Sequence, residues 1–335
     1  MKRALVTGAT GFIGYHVAKA LKRKGYEVRA FARESADASE LEALGVEPAR
    51  GDLRDYDAVC KAGKGCDEVY HVAADYRLWV PDPKTMYDIN VGGTVNVMKA
   101  ALAAGVSKVV YTSTVGVLPP RKNGTPGNEE TAARLEDMTG HYKRSKFLAE
   151  KEVRGFAQKG LPAVIVNPTA PIGPMDRKPT PTGKIIVDFL NGRMPAYLDT
   201  GLNFVDVEDV AEAHVLASVA GVPGERYILG NANLTLKQFL VILARLTGRE
   251  PPRWRLPYRP VLMLAYAGEA VSKLTRTRPA IPLDGVRMAR HYMFFDCSKA
   301  VRQLGMAQNS VETAARKAIE WYMGKGFVKG RLSGG

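Results

Sequence analysis

The sequence predicts an α/β protein built on a doubly wound parallel sheet, with a smaller, mostly helical C-terminal lobe that would carry the substrate. Three observations lead there. Short β-branched runs alternate with helical patterns through the first two-thirds of the 335 residues. Those runs are apolar on both sides, as strands of a sheet covered on both faces must be. A glycine-rich turn, Thr7-Gly8-Ala9-Thr10-Gly11-Phe12-Ile13-Gly14, joins the first strand directly to the first helix.

In chain order, strands are expected at 4–7, 27–32, 47–50, 68–72, 108–112 and 163–167. Helices are expected between them at 12–24, 39–45, 86–104 and 142–158. After Asn167 the texture changes. Pro168, Pro171, Pro174, Pro179 and Pro181 fall close together, so no regular helix runs through them. A strand–helix return at 203–219 and a strand at 226–229 are expected to add to the first sheet. The rest (234–247, 259–274, 283–291 and 311–325) is mostly helical. The expected organisation is therefore a dinucleotide-binding domain at 1–168, to which 203–230 return. An interleaved substrate lobe spans 169–202 and 231–325, with a tail at 326–335.

Composition narrows the class. Apolar residues are 46% and charged residues 24%, the balance of a soluble globular chain, and 33 Gly with 20 Pro are too few for a fibrous or disordered one. Cys60, Cys66 and Cys297 provide neither a disulfide framework nor a metal-ligand spacing, so a reducing, cytoplasmic compartment is expected. The five histidines (16, 71, 141, 214, 291) show no ligand spacing either, and no metal is expected. Residues 3–7 already read as a strand, so no signal peptide is expected, and the apolar run 261–267 is too short to span a membrane.

The net charge of +14 could point to nucleic acid, a membrane surface or an anionic ligand. Its distribution decides against nucleic acid. Residues 1–34 hold eight bases against two acids, and residues 249–278 hold seven against two. The first cluster surrounds the glycine turn. The second (Arg249, Arg253, Arg255, Arg259, Lys273, Arg276, Arg278) brackets the apolar run 261–267, a pattern fit for peripheral contact with an anionic membrane at its inner face. No recognition helix or base-stacking motif accompanies the charge.

The turn itself is a phosphate cradle. Glycines there let backbone N–H groups and a helix N-terminus face a pyrophosphate. An acid at the end of the second strand would bind the ribose 2′-hydroxyl of NAD, whereas an arginine accommodates the 2′-phosphate of NADP. Here the segment reads Val28-Arg29-Ala30-Phe31-Ala32-Arg33, so Arg33 favours NADP, with NAD the alternative. Gly51-Asp52-Leu53 ends the third strand, where the adenine should lie, with Asp52 near its amino group.

Tyr142 and Lys146 stand four apart, on one helix face. An ammonium near a phenol favours phenolate and makes the tyrosine an acid/base. Tyr15–Lys19 has the same spacing but follows the glycine turn, where the pairing is incidental. The fifth strand ends Tyr111-Thr112-Ser113-Thr114, and hydroxyls at the carboxyl end of a central strand lie in the ligand crevice of such a sheet.

Together these residues resemble the extended short-chain dehydrogenase/reductase superfamily over essentially the whole chain. The sequence is similar to its dihydroflavonol-reductase-like branch, and more closely to the hopanoid-associated sugar epimerase family. The specific stretches are His71-Val72-Ala73-Ala74-Asp75-Tyr76-Arg77-Leu78-Trp79, Gly140-His141-Tyr142-Lys143-Arg144-Ser145-Lys146-Phe147-Leu148-Ala149-Glu150 and Lys178-Pro179-Thr180-Pro181-Thr182-Gly183. The resemblance implies Tyr142 as acid/base, Lys146 as the residue that orients the nicotinamide ribose and depresses the Tyr142 pKa, and Thr114 as the hydroxyl that polarises a carbonyl, with Ser113 the substitute. It implies Asn90 at the position that supports a proton-relay water. It further implies Val72, Ala73 and Ala74 along the cofactor and Pro168 with Thr169 beside the nicotinamide. Homodimerisation through the helices at 86–104 and 142–158 is also implied. Tyr76, Trp79 and Tyr197 are candidate walls for an apolar or sugar-like substrate, or else ordinary packing aromatics.

Three reactions use such a constellation. A 4,6-dehydratase needs an acid beside the strand-end hydroxyl, but Val115-Gly116-Val117 follow Thr114. The reading is therefore an NADP-dependent oxidoreductase acting on a lipid- or sugar-like carbonyl or carbinol in hopanoid biosynthesis. An NAD-dependent sugar epimerase with tightly held cofactor is the alternative. A non-enzymatic redox sensor or scaffold is a third reading, but such proteins lose the tyrosine or the lysine.

Overall fold

The computed structural model describes residues 1–119, 125–275, 277 and 279–328. Along the chain run β1 (Arg3–Thr7), α1 (Phe12–Arg23), β2 (Glu27–Ala32), α2 (Ser39–Glu42), β3 (Glu47–Arg50), α3 (Tyr56–Gly63) and β4 (Glu68–His71). Then come α4 (Lys84–Tyr87), α5 (Thr94–Ala104), β5 (Lys108–Thr112), α6 (Gly140–Gln158), β6 (Ala163–Pro168) and β7 (Ala170–Ile172). They are followed by α7 (Pro181–Leu190), β8 (Ala196–Leu198), β9 (Gly201–Asp206), α8 (Val207–Ala220), β10 (Arg226–Leu229) and β11 (Ala232–Thr235). The chain closes with α9 (Leu236–Thr247), β12 (Trp254–Leu256), α10 (Tyr258–Thr275), α11 (Leu283–Met288), α12 (Ser298–Leu304) and α13 (Val311–Gly324).

Seven strands form one parallel sheet in the order β10-β6-β5-β4-β1-β2-β3. Val6, Val110, Val166 and Leu229 face α1 and α8 on one side. Leu5, Val69, Val109 and Ile165 face α3, α5 and α6 on the other. Strand order reverses between β1 and β4, and a doubly wound sheet opens its ligand crevice at that reversal. The expected fold class is the observed one.

One expectation is corrected. The strand at 203 does not join the main sheet. β9 pairs with β7 and β11 in a separate three-stranded sheet, because Phe204 is drawn into a second core and stacks on Phe239 of α9 at 4.1 Å. Its helix α8 and strand β10 do return to the first layer. The helix expected over 86–104 is observed as one continuous run of helical backbone from Lys84 to Ala104, in which residues 88–93 (Asp88–Gly93) are wound as a π-turn between α4 and α5. Close approach contributes, since a Cβ on Gly93 would lie 2.9 Å from that of Leu53. The proline-rich segment ends as its composition requires, with Pro181 at the first position of α7 and the Thr180 hydroxyl accepting the Gly183 N–H at 3.1 Å. β8 and β12 pair in a short parallel ladder that the sequence did not signal.

Candidate active site

The glycine turn sits at the strand-order reversal. Gly8 has φ of +71°, which its lack of a Cβ permits, and any Cβ there would lie 2.6 Å from the Ala73 backbone. Gly14 is equally constrained, since a Cβ would meet the Gly8 carbonyl oxygen at 2.1 Å. Helix α1 then opens with no side-chain cap on Gly11 and no acid in its first turn, so its N-terminal amides and dipole are left for an anion. Thr10, Phe12 and Ile13 stand half-buried around that opening, and Val72, Ala73 and Ala74 leave β4 directly beside Gly8. A pyrophosphate fits this cradle. Tyr15 and Lys19 face Arg177 and Glu208 respectively, so their spacing builds no second site.

Arg33 is exposed two residues beyond Phe31, whose carbonyl accepts the Gly8 N–H at 3.4 Å. Its loop is held by Arg50, whose Nη1 donates to the carbonyls of Arg33 (3.1 Å) and Ala36 (2.7 Å). Asp52 pairs with Arg54 at 2.6 Å. That hydrogen-bonded pairing, with Arg33 nearby, holds its carboxyl below the usual range. Leu53 is wedged against the π-turn, with its carbonyl accepting Asn96 Nδ2 at 2.9 Å.

The π-turn aims Asn90 inward, where it is buried. Its Oδ1 accepts the Asp75 N–H at 2.7 Å, and its Nδ2 donates to the Asp75 carbonyl and to Ser145 Oγ, both at 2.9 Å. The Asn90 carbonyl accepts from Thr94 Oγ1 at 2.7 Å. Asn90 thus ties the segment after β4 to α6.

Tyr142 lies half-buried at the first turn of α6, hydrogen-bonded with Thr114 and close to Tyr76 and Asp75. Burial pushes its phenol up to about 12, and the Thr114 hydrogen bond works against that rise. Lys146, one turn on, is fully enclosed. Its Nζ donates to the Tyr111 hydroxyl and to the Thr112 carbonyl, both at 2.8 Å, and lies 4.4 Å from the Tyr111 ring centre. Burial pulls the Lys146 ammonium down to about 7, against the favourable charge of Glu150. The rise in Tyr142 comes from burial, with Tyr76 and Asp75 adding to it and Thr114 opposing it, while two of the three Lys146 N–H groups go to Tyr111 and Thr112.

Ser113 takes a different direction. Its hydroxyl donates to Glu150 Oε2 at 2.5 Å, deep in a cluster where Arg226 Nε reaches Glu150 Oε1 at 2.6 Å and Asn167 Nδ2 reaches Oε2 at 3.1 Å. The hydroxyl offered to the crevice is therefore that of Thr114, and Ser113 is corrected from substrate neighbour to interior partner of Glu150. Tyr197 is corrected likewise: it is buried in the second core with Phe189, Phe204 and Phe239. Tyr76 remains at the opening, its hydroxyl donating to the Lys178 carbonyl at 3.3 Å across the crevice, and Trp79 is half-buried in the same loop. Pro168 ends β6, and Thr169 follows with its N–H on the Leu229 carbonyl at 3.0 Å.

Beneath the crevice, two histidines that spacing left unassigned complete the polar layer. His71 is hydrogen-bonded to Thr7 Oγ1 (2.7 Å) and Thr94 Oγ1 (2.9 Å), and His214 to Thr112 Oγ1 (2.8 Å) and the Val210 carbonyl (2.7 Å). Burial pulls His71 down to about 3 and His214 to about 4. Below pH 6.5 the unfolded chain therefore takes up protons that the native chain refuses. Stability should fall by about 1.4 kcal/mol per pH unit for each of them as the pH drops from 6.5 towards 4. Urea unfolding across that range checks this. A His214→Asn variant whose pH slope equals that of the native chain would remove His214 from the account.

The architecture and crevice define a nicotinamide-dependent oxidoreductase of the doubly wound type. The family model for the NAD dependent epimerase/dehydratase family matches residues 4–230. A protein provisionally named dihydroflavonol 4-reductase, from Synechocystis sp. (strain ATCC 27184 / PCC 6803 / Kazusa), is 42% identical over 97% of this chain and 95% of its own. Sterol demethylase protein B from Methylococcus capsulatus is 35% identical over 97% and 99%. The crystal structure of gox2253 superposes with a TM-score of 0.88 at 43% identity, covering 98% of this chain and all of that one. The chain belongs to the NAD dependent epimerase/dehydratase family, and is an NAD(P)-dependent oxidoreductase of the extended short-chain dehydrogenase/reductase type.

Tyr111, Glu150 and Arg50 belong to the site without any motif that marks their roles. One signal was present: Glu150 follows Lys146 by four residues, so both side chains turn to the sheet.

Proposed function

We propose that the chain is an NADP-dependent reductase or dehydrogenase acting on a carbonyl or carbinol of a lipid- or sugar-like substrate, in the cytoplasm and in the hopanoid chemistry that its resemblance implies. The observation that carries this reading is the meeting of Tyr142 with Thr114 in one crevice at the carboxyl edge of the sheet. A bound nicotinamide supplies or accepts the hydride. Gly8, Thr10, Gly11, Phe12, Ile13 and Gly14 would hold the pyrophosphate, and Arg33 the 2′-phosphate. Asp52 and Leu53 would meet the adenine, Val72, Ala73 and Ala74 the ring face, and Pro168 and Thr169 the nicotinamide.

Thr114 and Tyr142 would then grip one substrate oxygen. With a phenol at about 12, Tyr142 is protonated at neutral pH, the state that donates to the alkoxide formed in a reduction. Lys146, held by Tyr111 and Thr112, keeps a third N–H that would orient the ribose hydroxyls. Asn90 acts here as a clamp, since its amide and carbonyl are engaged by Asp75, Ser145 and Thr94.

Cofactor choice tests the Arg33 assignment. Arg33→Ala should lower kcat/KM for NADPH roughly 10- to 100-fold, the worth of a hydrogen bond to a charged group, and leave NADH nearly unchanged. Equal losses on both cofactors would remove Arg33 from the 2′-phosphate. The family description favours one other reading, an epimerase. NAD that stays with the protein through gel filtration would establish it, whereas freely exchanging NADP supports the reductase.

A further inference from the structure

Helix α10 presents apolar side chains on two faces. One face (Tyr258, Val261, Leu262, Ala265) is covered by Leu283 and Val286 of α11. The other carries Met263, Leu264, Val271 and Leu274, the last 87% exposed. Seven residues separate Leu264 from Val271, three separate Val271 from Leu274 and eleven separate Met263 from Leu274, so the four share one helix face. Trp254 of β12, 75% exposed, lies just before the helix in the chain. A globular protein rarely leaves so many large apolar groups together in water without a partner for them.

Charge says which partner. The apolar stripe is preceded by Arg253, Arg255 and Arg259, all exposed. Glu250 and Asp199 pair with the first two at 2.7 and 3.0 Å, surface contacts that water and salt largely screen. Glu269, the one acid within α10, is half-buried. Arg276 and Arg278 lie outside the described residues, as does the side chain of Lys273. Among the described residues no helix is long and apolar enough to cross a membrane, so such a helix would lie on the surface.

We propose that α10 and Trp254 dock the enzyme on an anionic lipid surface, the apolar stripe entering the headgroup boundary and the arginines facing lipid phosphates. The location gives the docking a use. α11, the helix under α10, places Asp284 against Gly140 at the start of α6, where a Cβ would lie 2.2 Å from its carboxylate, so the docked face lies two elements from Tyr142. A substrate dissolved in the bilayer would thus reach the crevice without crossing bulk water.

The test needs no turnover. The purified full chain is floated with vesicles of phosphatidylcholine containing about a quarter phosphatidylglycerol, and with phosphatidylcholine alone. Native protein should float with the first and stay behind with the second. A Leu264→Glu, Leu274→Glu double variant and an Arg253→Gln, Arg255→Gln, Arg259→Gln triple variant should each reduce the bound fraction roughly tenfold or more. Both should keep the native melting temperature, since every substituted side chain is exposed. Equal flotation of native and variant chains, or none by the native chain, overturns the proposal. So does a native dimer in sedimentation equilibrium that the double variant makes monomeric without any flotation, because a second copy would then be what covers the stripe.

Discussion

Replacing Tyr142 by phenylalanine should lower kcat about a thousandfold, while the dissociation constant for NADPH stays within about threefold of the native value. The variant keeps the ring, and with it the packing of the first turn of α6, and loses the single proton the reaction is proposed to use. Thr114 and Lys146 stay where they are, because Lys146 is fixed from the sheet side by the Tyr111 hydroxyl and the Thr112 carbonyl, not by the Tyr142 phenol. The measurement is NADPH oxidation with a carbonyl that the native enzyme reduces, taken from a panel of ketones and aldehydes, alongside cofactor binding by fluorescence. Retention of a tenth or more of kcat would mean that the proton comes from elsewhere. A parallel collapse of cofactor binding would mean that the substitution damaged the cradle.

Glu150→Ala should cost about 3–5 kcal/mol of stability, the penalty for stripping one partner from a buried charge cluster. The Glu150 side chain is 2% exposed and that of Arg226 11%. Without the carboxylate, the Arg226 guanidinium, the Ser113 hydroxyl and the Asn167 amide all lose a partner in a site that water does not readily reach. The loss should show as a lower urea midpoint with an unchanged slope. A double change, Glu150→Leu with Arg226→Leu, should recover much of it, since apolar packing can replace a buried ion pair. A Glu150→Ala midpoint within about 1 kcal/mol of native would show that the cluster is solvated in solution.

Much of this molecule is legible in its sequence, and the reason is range. The strand at 27–32 falls on β2 to the residue, and Val6, Val110 and Val166 lie in the sheet core as their apolar runs require. Such signals are local: they depend on neighbours two to four residues away. The glycine turn is local as well, because a positive φ at Gly8 and the tight approach of Gly14 to it are set within seven residues. The π-turn within the 86–104 helix was not legible, since it is shaped in part by the fit of Gly93 against Leu53, forty residues earlier.

The sequence by itself determined the chain order of the seven main-sheet strands, the phosphate cradle, the basic end of β2 and the placing of Tyr142 and Lys146 on one helix face. Each rests on spacing along the chain. Only the tertiary structure decided between adjacent hydroxyls, sending Ser113 to Glu150 and leaving Thr114 beside Tyr142. It also buried Tyr197 in the second core and gave Lys146 its partners on β5. At a strand end the alternation of faces no longer fixes where a side chain points. There the outcome depends on partners 34 to 76 residues away, which no local pattern encodes.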